Sequence, residues 1–266
     1  MSRMLLCLIF FTAMSDGDAA AADKKQVTYQ LPRDSSAVVI SYDEQNGFTP
    51  PRQNAAPLLS ILADGTVLMP DLYGQARDIT GKISQTELQG LLRLAIENNG
   101  FFSYDAAKVK EKMLKAESDR QIPRIADAPE SVFEIRLADR KHNVRHYALG
   151  MAGQFYKDIE ELQKLRAIHE RLRQLMNETR VGGKAGIRKL VTAANTELQK
   201  QHPGTQPFTG KEFRGSYIRR DGKTAATISR NGKTAEGKPD GTFVVAIIEI
   251  PGNGVPAVKI RARFKP

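Results

Sequence analysis

The run Leu58-Leu-Ser-Ile-Leu-Ala-Asp-Gly-Thr-Val-Leu-Met69 contains two apolar segments, Leu58–Ala63 and Thr66–Met69, separated by Asp64-Gly65. A tight reversal between paired strands needs residues that tolerate positive φ, and an Asp-Gly pair between apolar runs is the strongest short signal for one. The stretch predicts a β-hairpin, with both Asp64 and Gly65 expected at positive φ. Upstream, Ala37-Val-Val-Ile-Ser-Tyr42 is mostly β-branched or aromatic and reads as a further strand. Downstream, Ser84-Gln-Thr-Glu87 matches a capping box, in which the serine and the glutamate satisfy each other's free backbone N–H groups. Leu88, Leu91, Leu92, Ala95 and Ile96 then fall on one helical stripe that ends near Asn99-Gly100, with Phe101 and Phe102 as its anchor in the core.

Residues 108–130 are polar, highly charged and broken by Pro123 and Pro129, which predicts a long loop or a frayed helix. Phe133, Ile135 and Leu137 alternate with Glu134 and Arg136, and a polar turn near Asp139-Arg140-Lys141 leads into a strand over 143–149, a second hairpin. One long amphipathic helix follows, carrying Phe155, Ile159, Leu162, Leu165, Ile168, Leu172 and Leu175, and it stops before Gly182-Gly183. Residues 181–185 read as a linker. Beyond it, a helix over 186–201, a loop over 202–210 and four strands, 213–219, 223–230, 242–250 and 257–264, form a meander. Its turns are placed at Asp221-Gly222 and Asn231-Gly232, and Phe243–Ile250, the most apolar strand, belongs at its centre. The fold class is α+β: two small modules, over 23–180 and 186–266, each an antiparallel sheet packed by one or two helices.

The net charge of +10 is unevenly placed. Residues 181–266 hold 16 Lys and Arg against 6 Asp and Glu, whereas residues 1–180 hold 24 of each sign. The amino terminus reads as a secretory signal over residues 1–22: Arg3 precedes the apolar run Met4–Met14, and Ala19–Ala22 offer a small-residue cleavage site before Asp23. Ala13 and Ser15 give an alternative site before Asp16. Cys7, the single cysteine, lies near the start of the apolar run, which argues against lipidation and leaves the exported chain free of cysteine. A periplasmic or secreted location is expected, with no transmembrane segment in the exported part.

No motif for catalysis stands out. His142 and His146 are four residues apart on an expected strand, about 13 Å, too far to share a zinc ion. His169-Glu170 begins an H-E-x-x-H pattern, but Arg173 occupies the place of the second histidine. Ser216 sits in an expected strand, not a strand-to-helix elbow, and Gly182-Gly183-Lys184 resembles a hinge more than a phosphate loop. The neighbours Asp43-Glu44 and Glu160-Glu161 point in different directions. An acid–base pair assembled from distant residues stays open, as does a hydrolase using Asp64, Asp71 or Asp78. No cofactor is expected.

The basic carboxy-terminal unit rises above this background. Lys211, Arg214, Arg219, Arg220, Lys223, Arg230, Lys233 and Lys238 gather near two turns, and Lys259, Arg261, Arg263 and Lys265 alternate along the last strand. Residues two apart on a strand share a face at roughly 6 to 7 Å spacing, so the last four form a track for an anion. Interleaved aromatics are few and export removes nucleic acid from reach, so the expected partner is an anionic envelope component or another exported protein. Solvation of an outer face and protection of an edge strand explain the same residues without a partner.

The segment 58–102, with Ile61-Leu-Ala-Asp-Gly-Thr-Val67, Ile83-Ser84, the leucine-rich helix and Asn99-Gly-Phe-Phe102, resembles a module of exported bacterial proteins and lipoproteins of unknown function. That resemblance implies export and a strand, hairpin and helix arrangement, and it carries no active site. The carboxy-terminal unit is similar in outline to cystatins, which implies inhibition of a secreted enzyme as a third possibility. The cystatin Q-x-V-x-G motif is absent: Gln206-Pro-Phe-Thr-Gly210 has Phe208 in place of valine.

Overall fold

The computed structural model describes residues 27–45, 47, 56–71, 78–120, 122, 125–219, 223–233, 239–250 and 256–263, with backbone alone at 232, 233, 239–243 and 263. The expected signal segment and Cys7 lie outside the described residues. Strands β1 (Val38–Gln45), β2 (Leu59–Leu62), β3 (Thr66–Met69) and β4 (Ile79–Lys82) precede helices α1 (Gln85–Arg93) and α2 (Ala106–Asp119). Strands β5 (Glu130–Arg136) and β6 (Lys141–Tyr147) follow, and then helices α3 (Leu149–Phe155), α4 (Glu160–Arg180) and α5 (Gly183–Gln201). The chain closes with β7 (Phe213–Ile218), β8 (Thr224–Lys233), β9 (Pro239–Ile250) and β10 (Ala257–Arg263). The fold is α+β, with a six-stranded antiparallel sheet in the order β4-β3-β2-β1-β5-β6 and a four-stranded antiparallel sheet in the order β10-β9-β8-β7.

The first hairpin forms over Asp64-Gly65, but through a three-residue connection, 63–65, between β2 and β3, which pair as Ser60–Leu68 and Ile61–Val67. Gly65 alone is left-handed, at φ 86°, and Asp64 instead caps the turn by accepting from Thr66 N at 2.7 Å and Thr66 Oγ1 at 2.9 Å. The Ser84–Glu87 capping box is present at the start of α1. Its helix runs on as a π turn, Leu94–Asn98, before Gly100 reverses the chain at φ 61°. Leu88, Leu91 and Leu92 of α1 share one buried cluster with Ile40, Tyr42, Ile61, Val67, Phe133 and Ile135 of the sheet and with Leu162, Leu165, Ile168, Leu172 and Leu175 of α4.

Several expectations change. Of the two alternatives for the charged segment after Lys108, helix holds as far as Asp119, and it is regular rather than frayed: α2 has 14 residues, because Asp105 accepts from Ala107 N and Lys108 N and because Val109 and Ala116, two turns apart, are buried. The single long helix is two, α3 and α4, separated by Tyr156–Ile159, and β6 stops at Tyr147. Phe155, assigned to the buried stripe of the long helix, sits on α3 and is partly exposed. Strand β4, Ile-Thr-Gly-Lys, had too little apolar content to be seen. The break between α4 and α5 is only Val181-Gly182, so Gly183–Ala185 of the expected linker are helical. Asn231-Gly232 is no turn: β8 continues to Lys233, which pairs with Pro239, and the irregularity between Asn231 and Lys233 absorbs the glycine.

In the second sheet Leu190, Ala194 and Leu198, one turn apart on α5, meet Ala226, Ile228, Val244, Ala246, Ile248 and Ile260. Strand β9 is interior, as its composition requires. The end of α4 touches both sheets. A Cβ on Gly81 of β4 would lie 2.7 Å from Thr179 Cγ2, and on the other side Ser216 Oγ of β7 donates to Asn177 O at 2.9 Å while Arg180 donates to Ser216 O at 3.3 Å.

Candidate functional site: a cationic sheet face

Strand pairing assigns each residue of the four-stranded sheet to a face. Val258, Ile260 and Ala262 of β10 are at least partly buried and belong to the cluster under α5, so Lys259 and Arg261 project to the opposite, outer face. Both are exposed, and among the described residues neither has an ion-pair partner. Lys259 pairs across β9 with Ile247 and, beyond it, Thr227; Arg261 pairs with Val245 and, beyond it, Ser229. Val245 and Ile247 are only half-buried there, since no described element packs over this face. At the far edge Arg214, exposed on β7, donates through Nε to Ser229 O at 3.0 Å and so lies at the end of the row that Arg261 begins. Tyr217, 53% exposed, pairs with Ala225 on the same face. The outer face thus carries Val245 and Ile247 beside Thr227 and Ser229, the Glu249 carboxylate paired with Arg219, and the cations Lys259 and Arg261 along one edge and Arg214 at the other.

The other basic residues divide. Arg219 forms an ion pair with Glu249, which neutralises it locally. Lys211 is exposed in the single turn Gly210–Glu212 ahead of β7, and Lys223 is exposed immediately before β8. Arg230 serves packing: it lies over the Phe208 ring, donates to Pro207 O and pairs with Glu212 at 3.4 Å. Arg263 ends β10 opposite Phe243, with its backbone alone described, and Arg220 and Lys265 fall outside the described residues, as do Asp221-Gly222 and Lys238.

Sequence reasoning missed a buried polar cluster in the first sheet. Glu44 on β1, Ser131 on β5 and His146 on β6 occupy one cross-strand row, next to the row of Tyr42, Phe133 and Val144. His169 of α4 points onto it. Tyr42 Oη donates to Glu44 Oε1 at 2.5 Å, and His169 Nε2 lies 2.9 Å from Tyr42 Oη and 3.5 Å from Glu44 Oε1. The phenol has one proton, already given to the carboxylate, so Nε2 carries the hydrogen of the His169 contact. Arg173 Nη1 is 3.7 Å from the same Glu44 oxygen. The hydrogen bond from His169 chiefly, with Tyr42 and the Arg173 charge, holds the Glu44 carboxyl down at about 2 against the opposing effect of burial. Burial, reinforced by the Glu44 charge, pushes the Tyr42 phenol up, and burial also lowers His146. Asp43, adjacent in sequence, faces the other way and accepts from Gln45 Nε2 at 3.0 Å and from Leu58 N. The carboxylate acceptors are met from inside the fold, so the cluster fastens α4 to β1.

His142 and His146 lie on the strand β6, as the alternation required, and His142 packs against the Phe101 and Phe102 rings at 5.6 and 5.9 Å. Ser216 is a buried strand residue. Asp64 is held by the turn and by Lys82 at 2.6 Å, and Asp78 accepts from Asp71 N, so these carboxylates shape turns. Among the described residues no three His, Cys, Asp or Glu side chains come together as a metal site, and no helix is long and apolar enough to cross a membrane. Comparison with protein-family models, with curated proteins and with solved structures finds no match.

Proposed function

We propose that the chain is an exported, non-catalytic binding protein of the periplasm or the extracellular space, related to exported bacterial proteins and lipoproteins of unknown function, and that the outer face of its carboxy-terminal sheet contacts an anionic envelope component. The observation that carries the reading is the pair Lys259 and Arg261: same face, exposed, without an ion-pair partner among the described residues, and beside the half-exposed Val245 and Ile247. On this face Arg219 is neutralised by Glu249, whereas Lys259 and Arg261 have no carboxylate partner among the described residues. Unpaired cations aligned along one edge create a local positive field that attracts and orients an anion. Export supports envelope polyanions over nucleic acid, with Met4–Met14 and Ala19–Ala22 as the basis for export.

The test is binding of the chain to soluble polyanions, an acidic glycan and inorganic polyphosphate, at low and high salt, beside a neutral glycan. The reading predicts selective binding that weakens with salt and is reduced by the double substitution Lys259→Ala/Arg261→Ala. Binding that ignores both salt and this substitution would show that these cations only solvate the sheet.

A further inference from the structure

We infer that the outer face of the four-stranded sheet docks on the headgroup layer of an anionic lipid surface, an assignment that rests on the anion-binding reading above and narrows it. The reason lies in what separates the cations. Lys259 and Arg261 line one edge and Arg214 reaches the other; between them stand Val245 and Ile247, half-exposed, and at one end of the face lie the exposed Tyr217 and the mutually neutralised Arg219–Glu249 pair. A fully hydrated polyanion would engage the cations and gain nothing from these apolar groups. A lipid surface offers phosphates directly above an apolar layer, so a single approach pairs the Lys and Arg heads with phosphate and sets the Tyr217 ring at the boundary, where an amphipathic ring is favoured.

Charge also decides between occupants. A second copy of the chain placed face to face would bring together two faces on which Lys259, Arg261, Arg214 and Arg219 outnumber the single carboxylate Glu249, a net like-charge contact that opposes association. An anionic surface meets complementary charge instead. Among the described residues α5 covers only the inner side of the sheet, and no element lies over the outer one.

The experiment uses the chain from Asp23 onward, which keeps every described residue and removes the apolar run Met4–Met14 as a source of lipid affinity. Its binding to phosphatidylglycerol vesicles, to phosphatidylcholine vesicles and to inorganic polyphosphate is measured by co-sedimentation or competition. Binding to phosphatidylglycerol but not phosphatidylcholine is expected, falling about 30-fold in Lys259→Ala/Arg261→Ala, since each cation near such a surface is worth about a fivefold change. Tyr217→Ser, at an exposed position that spares the core, should lower vesicle binding about three- to tenfold and leave polyphosphate binding unchanged. Polyphosphate binding without vesicle binding, or an unchanged vesicle affinity in Tyr217→Ser, would overturn the lipid assignment and leave the anion-binding reading standing. Absence of binding to every anion would overturn both.

Discussion

Replacing Glu44 by glutamine removes one charge from the cluster that holds α4 to β1 and leaves its shape. The carboxyl is held at about 2 against an ordinary value of 4.5, and its side chain is 23% exposed. A depression of that size corresponds to at most about 3 kcal/mol, and discounting for the solvent around the exposed Arg173 leaves about 2 kcal/mol. The sign follows from linkage: a carboxyl whose folded value is depressed contributes stability above its unfolded value, and that contribution fades as pH falls from 4.5 toward 2. Glu44→Gln should therefore be less stable than the parent by about 2 kcal/mol at pH 7, and the gap should close as the pH approaches 2. Asp64, Glu87 and Asp158 are also held at about 2, but they are present in both proteins and cancel in the difference. Urea unfolding followed by far-ultraviolet circular dichroism, at neutral and acid pH, gives the comparison directly. A difference that is the same at both pH values, or negligible at pH 7, would refute the ionised, hydrogen-bonded role of Glu44.

Gly65→Ala should cost at least about 2 kcal/mol, because the residue lies at φ 86° and a Cβ would come within 2.3 Å of Ile83 O; thermal or urea unfolding checks it, and a near-neutral result would mean the hairpin re-forms with another turn. Ser216→Ala removes the donor to Asn177 O and should cost about 1 kcal/mol, with faster amide exchange in β7 as its local signature.

Legibility in the sequence followed the strength of local chemistry. The Asp-Gly hairpin, the capping box and the stripe of leucines on α4 each have a period or a turn residue that one reading satisfies, and each formed. Elements set by tertiary contacts were opaque: β4 is too polar to look like a strand and exists because Thr66 and Met69 pair with Lys82 and Ile79. Helix α2 was hidden by its charges, although Asp105 ahead of Val109 and Ala116 was the available signal. For the candidate site, alternation along β10 placed Lys259 and Arg261 on one face, and in the otherwise apolar Phe243–Ile250 the single charge Glu249 marks the same face. The alternation of Thr227 and Ser229 with Ala226 and Ile228 on the neighbouring strand carries the same information. The Tyr42–Glu44–His169 cluster joins residues more than 120 positions apart, and only the packing of α4 on β1 brings them together.

The most direct test of the central claim is the pattern of backbone amide chemical shifts when phosphatidylglycerol bicelles are added to the chain from Asp23 onward. Salt-sensitive changes concentrated at Arg214, Tyr217, Val245, Ile247, Lys259 and Arg261 are expected, with α5 and the six-stranded sheet unaffected. Changes centred on the six-stranded sheet, or none at low salt, would contradict it.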